Sequence, residues 1–327
     1  MKKFKGRLVP NSNLTPQPFW QPAVKRAEIW RSLLGLFLIH LAFFAATFGI
    51  ILVGARSIGV TPQGIVAANT PAKAMVFFAT FLGYHLGLWL VTRYLHKRPY
   101  RSLFGALGRV NWRHFLFGLL AAWTLSAITS GLEATGLFPV PEGGEIETIQ
   151  NMPLMIWVML LVPTVALIFI QIMAEELVFR GYLLQQLRAR FSSVWIWAVV
   201  PSLIFGTLHF DPGTYGVNAY FYVLHTSVVG IILALITIQT GNIGAAAGLH
   251  MANNAMLLVL GNAGSLDGLS LYLTTPQLDG PFVGISIVMQ TISMVVAFVI
   301  WRHMTRQKAN AASIDVEELQ NPPKDTN

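Results

Sequence analysis

Eight apolar runs of near-bilayer length decide what this chain can fold into. They lie at about 30–54, 73–94, 114–132, 153–179, 193–209, 219–239, 242–260 and 282–302. About 20 such residues, wound as an α-helix, cross the ~30 Å hydrocarbon core of a bilayer. Inside lipid each backbone N–H and C=O must find its partner within the protein, which a helix achieves within one segment. The expected fold is therefore all-α, a polytopic membrane protein with a bundle of about eight transmembrane helices. Composition agrees, because only 11% of residues are charged, against about 25% in a soluble domain. Pro163 and Pro201 interrupt the fourth and fifth runs. Proline lacks the N–H that a helix needs, so a kink or a restart is expected at each.

The charges orient the bundle. With the N-terminus in the cytoplasm, segments 1–31, 93–113, 180–190 and 302–327 face inward and hold 20 of the 22 Lys and Arg. The outward loops keep Arg56 and Lys73, and carry Glu133, Glu142, Glu145, Glu147, Asp211, Asp267 and Asp279. This is the positive-inside pattern with both termini cytoplasmic. The net charge of +8 is thus spent on topology, and no nucleic-acid partner is expected. The first 29 residues lack an apolar core of the signal-peptide kind, so no cleavable signal is expected. Three regions follow. Residues 1–27 read as an irregular basic cytoplasmic arm, 28–307 as the membrane domain, and 308–327 as a polar disordered tail. The absence of cysteine rules out disulfides, thiol nucleophiles and Cys-held metals.

Against this background "AEELVFRGYLL", residues 174–184, is anomalous. A charge at the centre of a membrane helix costs roughly 2.5–3.5 kcal/mol on insertion scales and marks a functional candidate. Glu176 and Arg180 are four apart, so they share a face and can pair. Glu175 points elsewhere and is left with a tunable proton affinity. The blander reading solvates all three at the cytoplasmic interface beside Arg188 and Arg190. It weakens when the other polar residues are added. "LIFGTLHF" puts Phe205 and His209 four apart, and "GLHMANNAM" puts His250 and Asn254 on one face with Asn253 turned away. Gly244, Gly248 and Ala252 form a small-residue row that admits a neighbouring helix closely. His40, His85 and His225 read as hydrogen-bonded core histidines, and His96, His114 and His303 as interfacial. A carboxylate, two imidazoles and a carboxamide from three spans suffice to activate a water and stabilise an oxyanion. The depths do not match simply: His209 falls near the outer end of its run, His250 near the middle of its own. Glu175 is mid-membrane only if its helix restarts at Pro163.

"EELVFR", "FGTLH" and "HMANN" match, in order, EExxxR, FxxxH and HxxxN. Together they resemble the CPBP family, the CAAX prenyl protease and bacteriocin-processing (Abi) group of intramembrane glutamic endopeptidases. The resemblance covers about 154–260, the expected catalytic core. It implies Glu175 as general base, His209 as its aid in holding the water, His250 and Asn254 as oxyanion donors, and Glu176 and Arg180 as supports. It implies no cofactor, and it implies a peptide or membrane-protein substrate met within the lipid bilayer. Nothing in the sequence implies a prenylated one. Two alternatives stay open: a zinc peptidase built on Glu175, His209 and His250, and a non-catalytic membrane scaffold or immunity protein. The expected setting is the bacterial cytoplasmic membrane.

Overall fold

The computed structural model describes residues 17–105, 107–135, 147–264 and 266–320. Much of the basic arm, Glu142, Glu145 and the last seven residues of the tail lie outside the described residues. Each apolar run becomes helix. In chain order they are α1 Ile29–Ile58, α2 Pro71–Leu95, α3 Trp112–Leu132, α4 Leu154–Arg190, α5 Trp195–Thr207, α6 Asn218–Thr240, α7 Gly244–Val259 and α8 Pro281–Thr305. Six of these are long and apolar enough to cross a membrane; α5 and α7 are shorter. The protein is thus an all-α integral membrane protein, with six helices of spanning length among the described residues against the about eight expected. α5 stops where the Leu208–His209 turn precedes Asp211 and Pro212. α7 stops where Leu260 leaves the helix for an extended segment.

That segment joins a three-stranded sheet absent from the sequence expectation: β1 Thr148–Gln150, β2 Leu260–Asn262 and β3 Tyr272–Thr274, in the order β1-β3-β2. β3 runs antiparallel to β1 and parallel to β2. Three-residue strands are too short to leave a periodic signal in the sequence.

Both prolines are absorbed without a restart. Pro163 lies inside a continuous α-helix. Pro201 follows a π-turn over Trp195–Val199, where the widened ladder accommodates the missing N–H. Continuity also relates Glu175 to His209. α4 and α5 are consecutive and meet through an aromatic edge-to-face pair, Phe179 and Phe205, with ring centroids 4.9 Å apart. Glu175 lies 15 residues before the end of α4 at Arg190, and His209 lies 14 residues after the start of α5 at Trp195. Both thus stand at a similar distance along the chain from the α4–α5 turn.

Small residues set the spacing around this core. A Cβ on Gly248 would run into the Phe115 carbonyl, and one on Gly118 into the Ala245 carbonyl, so α3 and α7 touch backbone to backbone. A Cβ on Gly206 or Gly230 would meet Ser227 or Ser202, which presses α5 onto α6. The outward faces stay apolar: Phe37, Phe44 and Phe48 on α1 and Met155, Met159 and Val162 on α4 are exposed, as a lipid solvent requires.

The two tails differ from expectation. The end of the N-terminal arm is not irregular: Gln21–Arg26 form a 3-10 turn. Phe19 is buried in the core and Trp20 lies 4.2 Å from the Arg188 guanidinium; two large aromatic rings have more to gain from the bundle than from water. At the other end the helix that begins at Pro281 continues to Gln320, through residues expected to be irregular. The run includes Ala309, Ala311, Ala312, Glu317, Glu318 and Leu319, all good helix formers.

Candidate active site

α4 supplies the centre of the site. Two turns of its face carry Gln171, Glu175, Glu176 and Arg180, and directly after Glu176 the helix widens into a π-helix over Leu177–Leu184. Such insertions recur at functional positions because they re-aim side chains that a regular helix could not.

The adjacent glutamates have opposite surroundings. Glu176 is fully buried, and its Oε1 accepts from Arg180 Nη1 at 2.8 Å and from His250 Nδ1 at 2.9 Å. Its Oε2 is buried without a hydrogen-bond partner. Arg180, 2% exposed, also donates to the Gly230 carbonyl of α6 at 3.4 Å and lies 5.1 Å from the Phe205 ring. Glu175 keeps 18% of its side chain exposed. Its Oε1 accepts from Gln171 Nε2 at 2.6 Å, and its Oε2 lies 3.6 Å from His250 Nε2. His250 therefore stands between the two carboxylates, bonded to one and facing the other across a gap.

The bond to Glu176 fixes the imidazole. A carboxylate held by Arg180 can only accept, so Nδ1 carries a proton and Nε2 is the end presented to Glu175. His209 is fixed in the same sense: its Nδ1 donates to the Phe205 carbonyl at 2.9 Å, which leaves Nε2 as acceptor. No hydrogen bond joins His209 to Glu175. Its ring packs edge-on against Phe205 and Tyr222, at 4.8 and 6.0 Å between centroids. Phe205 touches His250 too, at 6.4 Å, and so links the imidazoles of α5 and α7. Asn254 Nδ2 donates to Gln171 Oε1 at 2.8 Å, and Asn254 Oδ1 accepts from the exposed Asn253 at 3.2 Å.

Five of the six residues singled out in the sequence, Glu175, Glu176, Arg180, His250 and Asn254, thus form one connected network, and His209 approaches it through Phe205. Gln171 was missed. Its signal was available, as the one amide in the run 154–174 and four residues before Glu175. His40, His85 and His225 are hydrogen-bonded, to Leu36 O, to Tyr100 and Ile170 O, and to Thr291. His96 is buried rather than interfacial, because it packs against Tyr182. Among the described residues no three His, Cys, Asp or Glu side chains are grouped to hold a metal ion.

Comparison with known proteins points the same way. Residues 151–256 match the family described as Rce1-like, type II CAAX prenyl endopeptidase Rce1-like. The protein YyaK of Bacillus subtilis (strain 168), described as uncharacterized, is 31% identical over 172 residues, covering 52% of this chain and 55% of YyaK. The chain thus spans about half the length of that relative. No solved structure matches. EExxxR, FxxxH and HxxxN all lie inside the segment, residues 151–256, that is similar to the Rce1-like, type II CAAX prenyl endopeptidase family.

Proposed function

We propose that the chain is an intramembrane endopeptidase that hydrolyses a peptide bond in or beside the bilayer with a water activated by Glu175. The observation that carries this reading is the division of labour between two adjacent carboxylates. Glu176 is neutralised and immobile, whereas Glu175 is partly open and has one oxygen facing His250 across 3.6 Å. A general base needs that freedom together with a fixed position.

The chemistry follows from the donors present. Glu175 Oε2 takes a proton from a water that the Nε2 lone pair of His209 helps to orient. The water oxygen bonds to the scissile carbonyl carbon, and the C=O π pair moves onto oxygen. With His250 protonated, its Nε2–H meets that oxyanion beside the Asn254 N–H that Gln171 does not engage. Charge then balances across the site: Arg180 with Glu176, and His250 with the oxyanion, Glu175 being neutral once it holds the proton. Collapse re-forms the carbonyl and breaks the C–N bond, and the leaving amine takes the proton held by Glu175. Loss of one oxyanion donor in such sites costs about 10²–10³ in rate.

An apolar groove beside α4 supports a membrane-borne substrate. The groove, of about 690 Å³, lies between α1, α2 and α4, lined by Gly49, Val53, Met75, Ala79 and Leu167 among others. Leu167, which lines it, shares a helix face with Gln171 and Glu175. The partners are then the bilayer itself and a peptide or membrane-protein substrate.

Quantitative membrane proteomics of a strain with the wild-type chain against one with Glu175→Ala tests the reading. Precursors should accumulate in the variant, their cleavage sites within or next to a predicted span. Identical proteomes, with a phenotype unchanged in Glu175→Gln at equal protein level, would instead favour a non-catalytic scaffold. Loss of cleavage on chelation, restored by zinc, would transfer the mechanism to a zinc ion on Glu175, His209 and His250.

A further inference from the structure

Resting on the reading of Glu175 as the base, we propose that Gln171 is a positioning residue, an amide clamp that sets the geometry of base and oxyanion donor together. Gln171 is 6% exposed and spans the space between Glu175 on its own helix and Asn254 on α7. Its orientation is dictated by its neighbours. The Glu175 carboxylate can only accept, so the Gln171 NH2 group faces it at 2.6 Å. The Gln171 carbonyl is thereby turned to Asn254 and compels that side chain to present its own NH2 group, at 2.8 Å. Asn253 donates to Asn254 Oδ1 at 3.2 Å from the far side, in the same direction. The result is a one-way chain of donors, Asn253 to Asn254 to Gln171 to Glu175.

Two consequences bear on the reaction. First, Glu175 Oε1 is occupied, so Oε2, the oxygen facing His250, is the one left to take a proton from water. Second, Asn254 cannot flip. A flipped amide would aim its oxygen at the developing oxyanion and repel it, whereas the enforced orientation leaves one N–H to donate. The titratable groups around the clamp are Glu175, Glu176 and Arg180 on α4, His250 on α7 and His209 beyond α5. Tyr84 on α2 and Tyr222 on α6 also lie within electrostatic reach of Glu175. Gln171 joins Glu175 and Asn254 through one planar amide, donating to the first and accepting from the second.

The test uses full-length protein in nanodiscs and the near-isosteric Gln171→Met, with Gln171→Asn, which keeps the amide but shortens its reach, as a second variant should the first fold poorly. An internally quenched farnesylated CAAX peptide serves as the turnover probe. The expected result is a kcat about 10–100-fold lower with KM within about two-fold and an unchanged unfolding temperature, since misplacement of about 1 Å in a catalytic group costs on that order. Adding Asn254→Ala to Gln171→Met should cost far less than Asn254→Ala does alone. A second readout needs no substrate. The infrared carboxylate band of Glu175, isolated as wild type minus Glu175→Gln, should shift in Gln171→Met and stay in place in the distant buried control Gln186→Met. An unshifted band, or wild-type kcat in Gln171→Met, overturns the clamp while leaving Glu175 as base if Glu175→Gln is inert. Cleavage by Glu175→Gln overturns the base itself, whatever the band does.

Discussion

Two buried polar clusters follow one another along α4, and they are built on opposite principles. The first, from Gln171 to Arg180, brings two carboxylates, a guanidinium and an imidazole together, and leaves Glu175 partly open. The second, from Tyr182 to Gln186, is closed. Tyr182 donates to the Ser32 carbonyl at 3.1 Å and meets His96 Nε2 at 2.9 Å; Gln186 donates to His96 Nδ1 at 2.7 Å. Arg98 donates to Gln185 Oε1 and to Ser102 Oγ, while its Nε and Nη2 are buried without partners. No carboxylate hydrogen-bonds within this second cluster. Burial pushes the His96 imidazole down to about 4 and the Arg98 guanidinium down to about 10. Polar burial alone thus makes a fastening for α1, α2 and α4. A candidate active site needs more: compensated charges that fix the frame, and one titratable group with a side still unfilled.

Arginine replacement should separate the clusters most sharply. Arg180→Met strands the fully buried Glu176 carboxylate, and breaking a buried pair in this way costs about 3–5 kcal/mol. Arg98→Met removes a cation that forms no ion pair among the described residues, and strands only neutral amide and hydroxyl groups. Its stability should stay within about 1–2 kcal/mol of wild type, in either direction. Denaturant unfolding in detergent measures both, and equal effects would erase the distinction. Next in size, Asn254→Ala should lower kcat about 10²–10³-fold at unchanged folded yield, while Gln186→Ala should lower stability by about 1–3 kcal/mol at unchanged kcat per folded molecule. The smallest effect is a pH dependence. An unfolded chain protonates His96 near its ordinary value of about 6.5, but the folded chain resists protonation down to about 4. Between those values the unfolded state binds the extra proton, so stability is complete above pH ~6.5 and falls as pH drops toward 4. The loss of unfolding temperature between neutral and acid pH should shrink in His96→Gln.

Much of this contrast was legible in the chain. Helical spacing predicts the Glu176–Arg180 pair, and the pair forms at 2.8 Å. The row Gly244, Gly248, Ala252 predicts a closely packed neighbour, and α3 is that neighbour. What escaped the sequence depends on distance along the chain. His96 looks interfacial because it follows the end of α2 by one residue, but Tyr182 and Gln186, 86 and 90 residues later, enclose it. Gln171 looks like a tolerated polar residue until Asn254, 83 residues on, completes its bonds. Phe19 lies in a proline-bearing basic segment, and nothing local reveals that it is buried in the core. Length misleads once: α5 and α7 begin as apolar runs like the rest, and their early ends are set by a turn and by strand pairing.

The division between the adjacent glutamates is tested most directly by placing Glu175→Gln and Glu176→Gln side by side, in liposomes, with a substrate recovered from the proteomic comparison. Both changes keep the shape and remove one negative charge. Glu175→Gln should purify and unfold like wild type and cleave nothing. Glu176→Gln, which leaves Arg180 buried without its counter-ion, should lose about 3–5 kcal/mol of stability and much of its folded yield. Near-wild-type cleavage by Glu175→Gln, or equal stability of the two variants, would contradict the assignment of one glutamate to the reaction and the other to the frame.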